Sequence, residues 1–221
     1  MSPENVSALT LSLKVATVAT LLNAAMGIPL AYLLARRTFR GRWLVDLLVT
    51  LPLVLPPTVT GYYLIVLLGR RGWLGGPLFG LTGWSVAFTW HAAVIAAAVM
   101  ALPLLVRTAR AAIESVDPDL ERAAFTLGHS EWRTALEVTI PLARNGILAG
   151  LVLAFARALG EFGATLMLAG NIPGRTTTVP LAIYTAVQTG ESSEAFVLVA
   201  ALTAVSCVVI FLAGRLGTKT T

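Results

Sequence analysis

Five apolar runs, each long enough to cross a lipid bilayer, constrain this chain more than any other feature. They lie at 8–34, 43–68, 84–106, 140–169 and 195–214. A helix needs about 20 residues to cross a hydrocarbon core of about 30 Å. Isolated strands cannot satisfy their backbone groups in lipid, so the runs must be helices. The expected fold class is an all-α integral membrane protein forming one transmembrane domain over residues 1–221. Only 12% of the residues are charged, about half the share of a soluble domain. A sixth apolar stretch, Val179 to Gln188, is too short to cross alone. It reads either as an interfacial helix or as a short extra span.

The formal net charge of +5 would suit a nucleic-acid partner, but the positions of the cations argue against one. Arg36, Arg37, Arg40 and Arg42 separate the first two runs. Arg107, Arg110, Arg122, Arg133 and Arg144 separate the third and fourth, and Arg215 and Lys219 follow the fifth. The opposite side holds Arg70, Arg71 and Arg175. Eleven cations against three give a positive-inside bias, with the N-terminus outside, the C-terminus cytoplasmic and residues 107–145 inside. Glu4 is the only charge before Lys14, so no basic leader region precedes the first run and no secretory signal is expected. Lys14 is read as snorkelling toward the outer headgroups. Cys207, His91 and His129 are isolated, which predicts neither a disulfide within the chain nor a metal site.

Residues 117–142 form a polar, helix-prone island between the third and fourth runs. Asp117, Pro118 and Asp119 make a strong helix start. Gly128 suits a left-handed closing residue, and Ser130 can cap a second short helix carrying Trp132 and Arg133. Ala123 and Ala124 leave one face without bulk, where another protein can approach the backbone. Pro141 is expected to mark the corner into the fourth run. An amphipathic linker on the headgroups would need a broad apolar face instead, so a rigid docking hairpin fits better.

Several features lie within the membrane. Pro52, Pro56, Pro57 and Gly61 interrupt the second run. The carbonyls they free must meet protein or water, which suits a face toward a cavity and suits a purely structural kink equally. Thr58 and Thr60 have hydroxyls that could face a hydrated oxyanion or bond their own helix. Arg157 and Glu161, four residues apart, fall near mid-bilayer, where an unpaired charge costs at least about 2.5–3.5 kcal/mol. They either line a path or gate, or neutralise each other while locking helix packing. Asn171 and Arg175 occupy a turn-rich outer loop, where they either meet a delivery protein or do nothing specific.

The spacing of Ala123-Ala124, Gly128 and Ile140-Pro141-Leu142 resembles the EAA loop of bacterial ABC importer permeases. The glutamate that usually precedes the two alanines is Arg122 here, with Glu121 one position earlier. Residues 51–61, 100–107, 155–165 and 170–176 resemble the molybdate permeases and their sulfate relatives, so the resemblance covers almost the whole chain. It implies a type I importer-like bundle of five long spans, with or without a short sixth, in the bacterial inner membrane. It also implies that Glu121, Arg122, Ala123, Ala124, Gly128 and Pro141 belong to cytoplasmic coupling helices. The partners implied are a second copy of the chain, a cytoplasmic ABC ATPase homodimer that binds ATP and Mg²⁺, and a periplasmic oxyanion-binding protein.

Two classes of function compete. One is the membrane subunit of an ATP-driven oxyanion importer, carrying molybdate, tungstate or sulfate. The other is a self-contained channel or secondary carrier. The chain has no Gly-x-x-x-x-Gly-Lys-Ser/Thr loop, so an ATP-driven transporter would borrow its motor. It also shows no internal repeat, a feature usual in secondary carriers. No nucleophile–base constellation suggests an enzyme.

Overall fold

The computed structural model describes residues 2–217, with side chains through residue 211. Arg215 and Lys219, counted above among the inside cations, lie outside the described side chains. Among the described residues there are helices and turns but no strand.

Helix α1 (Pro3–Arg36) opens with Ser2, whose hydroxyl accepts the N–H of Asn5 at 3.3 Å, and with proline at its first position. Its 34 residues reach about 50 Å at 1.5 Å per residue, well beyond the hydrocarbon core. The second apolar run is where the sequence places it, but it is not one kinked helix. It forms α2 (Arg42–Val54) and α3 (Pro57–Leu68). Leu55, crowded by the following proline ring, takes the extended ψ of 143° that residues before proline prefer. Pro56 and Pro57 have no N–H, so a continuous helix would lose the donors for the Pro52 and Leu53 carbonyls. After a turn comes the short α4 (Gly75–Thr82).

Helix α5 (Trp90–Glu114) starts later than the third run predicts, at the Thr89 cap, and continues past Val106. Next come α6 (Pro118–Thr126) and α7 (Glu131–Thr134). The expected corner at Pro141 is absent. Instead α7 passes through a π turn, Ala135–Thr139, directly into α8 (Ile140–Leu159). Pro141 cannot donate to the Glu137 carbonyl. The wider π turn accommodates this, with the Ile140 N–H bonded to the Ala135 carbonyl.

The fourth run breaks after Leu159 and resumes as α9 (Gly163–Ala169). Helix α10 (Val179–Thr189) has 11 residues, or about 16 Å, and does not reach across a bilayer. It packs against α1 and α11 (Ser192–Gly217), and its Val179 N–H donates to Ser12 Oγ at 2.7 Å. The helices long and apolar enough to cross are α1, α5, the continuous 131–159 segment and α11. The second expected span is present only as the two shorter helices α2 and α3.

The core centres on α5, which lies between α1 and α8. It buries Ala92, Ala93, Ala96, Ala97, Ala101 and Ala109. Small side chains let lipid-embedded helices approach closely and gain dispersion contact, since water expulsion does not drive association there. The two interrupted spans also meet. A Cβ added to Gly61 of α3 would sit 2.7 Å from Met167 Cβ, and one added to Gly163 of α9 would sit 2.9 Å from Pro57 Cβ.

Ion pairs fix which helix ends lie together. Arg36 meets Glu121, Arg37 meets Glu131, Arg42 meets Glu114, and Arg110 meets both Asp46 and Glu114. These contacts gather the end of α1, the start of α2, the end of α5 and the hairpin at one end of the bundle. Asn5 and Glu194, joined at 2.6 Å, belong to the opposite end.

Candidate functional site

The hairpin forms as its residues dictate. Asp117 Oδ1 accepts the N–H of Asp119 at 2.9 Å, and Pro118 begins α6. Gly128 closes α6 with φ +85°, a conformation that costs residues with a Cβ about 1–2 kcal/mol. Its N–H donates to the Phe125 carbonyl at 3.0 Å, and the His129 N–H to the Ala124 carbonyl at 3.1 Å. That pair of bonds is the Schellman closure, which satisfies carbonyls the helix end would leave open. Ser130 Oγ then accepts the Arg133 N–H at 3.4 Å and starts α7.

The hairpin is anchored by a polar cluster that sequence reasoning missed. Glu121 Oε1 accepts from Arg36 Nε at 2.9 Å and from Thr139 Oγ1 at 2.6 Å. Arg36 Nη2 also donates to the Val116 carbonyl at 3.0 Å. One carboxylate thus ties α6 to the last turn of α1 and to the π turn. Both Arg36 and Glu121 are largely shielded from solvent, where charge-assisted bonds are stronger. Arg37–Glu131 adds a second link to α1, and Arg133–Glu137 at 2.9 Å braces α7 along its own axis. No local pattern announces these long-range partners.

Glu121 is therefore turned inward, and it does not occupy the outward position that an acid directly before the alanines would take. Arg122 holds that position, its side chain 74% exposed and paired with Asp119 at 2.9 Å. The two alanines also differ. Ala123 is exposed, whereas Ala124 is buried, so only the first offers its surface to another molecule. Leu120, Phe125 and Leu127 (79% exposed) of the same turn are exposed too, whereas Trp132 lines a cleft with Pro29, Leu30 and Leu33 of α1. The result is an apolar tip on a rigidly anchored hairpin. Pro141 is exposed, at the start of α8.

Arg157 and Glu161 are brought together, Nη1 to Oε2 at 2.7 Å, with the Glu161 side chain 2% exposed. The pair does not lie along one helix. It bridges the break between α8 and α9, and Glu161 Oε1 accepts the N–H of Ala164 at 2.8 Å. Glu161 therefore caps α9 and neutralises Arg157 at once. A buried carboxylate at a helix start is favoured by the free N–H groups there. The readable signal was Gly160 beside an acid, which ends one helix and begins another.

Thr58 and Thr60 do not share a face. Thr58 is exposed, while Thr60 is buried with no hydrogen-bond partner for its hydroxyl among the described residues. On the far end of the bundle, Asn171 is committed internally, donating to Thr185 Oγ1 at 2.9 Å and accepting from Thr177 Oγ1 at 2.7 Å. Arg175, by contrast, is exposed.

Comparison with known proteins agrees with this architecture. The molybdenum transport system permease protein ModB of Escherichia coli (strain K12) is 53% identical over 190 residues, 85% of this chain and 83% of that protein. The protein of the same name from Haemophilus influenzae is 49% identical over 189 residues, 86% and 82% of the two chains. In fold, the chain superposes on the MetNI methionine ABC transporter with a TM-score of 0.78, covering 100% of both chains at 16% identity. The fold is thus that of the type I ABC importer permeases. With residues 27–218 matching the family profile as well, the chain belongs to the binding-protein-dependent transport system inner membrane component family.

Proposed function

We propose that this chain is the membrane-spanning permease subunit of an ATP-driven importer of molybdate or a related oxyanion such as tungstate. The observation that carries the cargo assignment is the 53% identity, over most of both chains, with a protein named for molybdenum transport. The rigid hairpin with its exposed apolar tip supports the motor connection. In this reading it is the coupling element, inserted as residues 117–142 in a single permease domain spanning 1–221.

Two copies pair about an axis normal to the membrane, with the path between them. The N-terminus lies outside and the C-terminus in the cytoplasm. Arg122, Ala123 and Leu127 present the face that seats in a groove of a cytoplasmic ABC ATPase homodimer. Glu121 and Gly128 keep that face rigid. ATP and Mg²⁺ are bound by the ATPase, whose closure moves the hairpins as levers. Because Glu121 joins α6 to α1 and to the segment leading into α8, that movement reaches the spans directly. The α3–α9 crossing, with Arg157 and Glu161 at its edge and Thr58 and Thr60 on α3, flanks the path or its gate. A periplasmic binding protein delivers the anion to the outer loops, with Arg175 available to meet it. Asn171 holds that loop in shape.

Co-purification from native membranes, followed by ATPase assay, tests the reading. An associated ATPase stimulated by loaded molybdate-binding protein is the expected result. A chain that carries oxyanion across vesicles without any partner would overturn the importer assignment in favour of a carrier. Stimulation by sulfate but not molybdate would overturn the cargo.

A further inference from the structure

At the end opposite the hairpin, the structure holds an open cleft of about 360 Å³ lined by Leu11, Lys14, Trp84, Thr89, Trp90, His91, Gly174 and Arg175. Its cationic wall is built as a stack. Lys14 Nζ sits 3.7 Å from the centroid of the Trp90 ring. The Trp90 and His91 rings are 4.0 Å apart, and Trp84 meets His91 edge-on at 5.7 Å. Arg175, from the loop between α9 and α10, also lines the cleft. Trp90 thus holds Lys14 at the cleft.

The chemistry of this lining is one-sided. Two basic side chains line the cleft, and no carboxylate belongs to it. Neither Lys14 nor Arg175 has an ion-pair partner among the described residues. The indole N–H groups of Trp84 and Trp90 and the His91 ring likewise meet no protein acceptor among the described residues. Elsewhere at this end, Glu4, Glu191 and Glu194 line a separate pocket. An ammonium, a guanidinium and several ring N–H donors left without protein acceptors form a set that suits an anion bearing several oxygens.

We propose that this cleft is a tetrahedral-oxyanion site, with Lys14 and Arg175 as its charged ligands and Trp90 as the residue that positions Lys14. The ligand is a free oxyanion or the phosphate of an outer-leaflet phospholipid, and the same charges and donors recognise both. The proposal stands apart from the importer assignment, because it concerns binding at equilibrium and needs neither ATPase nor transport.

The test uses the full chain in dodecyl maltoside micelles, which carry no phosphate, with tryptophan fluorescence as readout. One arm titrates sodium molybdate and sodium phosphate against sodium chloride of equal ionic strength. The other adds phosphatidylglycerol to the micelles with no added oxyanion. A saturable response in the first arm identifies a free ion, and a response in the second alone identifies the lipid phosphate. Either supports the site, provided that Lys14→Gln with Arg175→Gln weakens it about tenfold or more, as losing charge-assisted bonds requires. Lys14→Arg, which keeps the charge, should retain the response and shows that the fold survives change at this position. No response in either arm, a response equal to that of chloride, or one unchanged in the Gln variant overturns the proposal. Uptake measured separately shows whether the importer reading stands or falls, whatever the cleft binds.

Discussion

Arg36 at the end of α1 and Glu121 in α6 meet at 2.9 Å, although 85 residues separate them in the chain. The same carboxylate oxygen holds Thr139, so removing it leaves two donors without their acceptor. We expect Glu121→Ala to destabilise the protein by about 1–3 kcal/mol and to expose the 126–131 turn to protease. Thermal unfolding in detergent and limited proteolysis read these two effects. Arg122→Ala, at an exposed neighbouring position, should leave both unchanged while reducing ATPase stimulation. If the two variants behaved alike, Glu121 would not be the internal strut.

Gly128 is required by its backbone angle, since nothing lies within 4 Å of where its Cβ would be. Space is therefore no obstacle, and the cost comes only from φ +85°. Gly128→Val should cost about 1–2 kcal/mol and uncouple transport while the subunit still inserts. Gly128→Asn, which tolerates the left-handed region better, should retain most uptake. Comparing uptake at equal membrane abundance makes the measurement. Equal loss in both variants would point to a steric role instead.

How far the sequence foretold this molecule depended on the range of the forces involved. Length and hydropathy located the spans, because the bilayer imposes them. Local chemistry located the hairpin, because Asp117, Gly128 and Ser130 act within a few residues of themselves. What remained hidden was relational. Pro52, Pro56 and Pro57 suggested a kink, yet the chain breaks there into two helices. Pro141 suggested a corner, yet a π turn absorbs its missing donor. Ala123 and Ala124 looked equivalent, and only packing turned one outward and one inward. Nothing near Glu121 in the chain announced that Arg36 and Thr139 claim it.

Arg157 and Glu161 should behave as a coupled pair across the α8–α9 break. Breaking a buried pair from one side costs about 3–5 kcal/mol, whereas replacing both partners is often close to neutral. Glu161→Gln keeps an oxygen for the Ala164 N–H, so it should unfold at a higher temperature than Glu161→Ala, which loses the cap as well. The double variant Arg157→Gln with Glu161→Gln should be more stable than either single change, giving a non-additive cycle. Additive losses would mean the two charges do not depend on each other. Uptake by the stable double variant then reads whether the charges are also needed along the path.

The crossing of α3 and α9 has a separate and purely steric test. At Gly61, an added methyl would fall 2.7 Å from Met167 Cβ and 2.9 Å from the Ala164 Cα, so backbone as well as side chain must move. Overpacking of this kind costs about 1–3 kcal/mol, and Gly61→Ala should lower the unfolding temperature accordingly. The accompanying change Met167→Ala would leave its own Cβ in place and should restore little. At Gly80, where nothing lies within 4 Å, the same glycine-to-alanine change should be tolerated. A Gly61→Ala protein as stable as the parent would show that α3 and α9 can part without penalty. The interrupted spans would then be loosely apposed, and motion of the hairpin end could not be carried through this crossing.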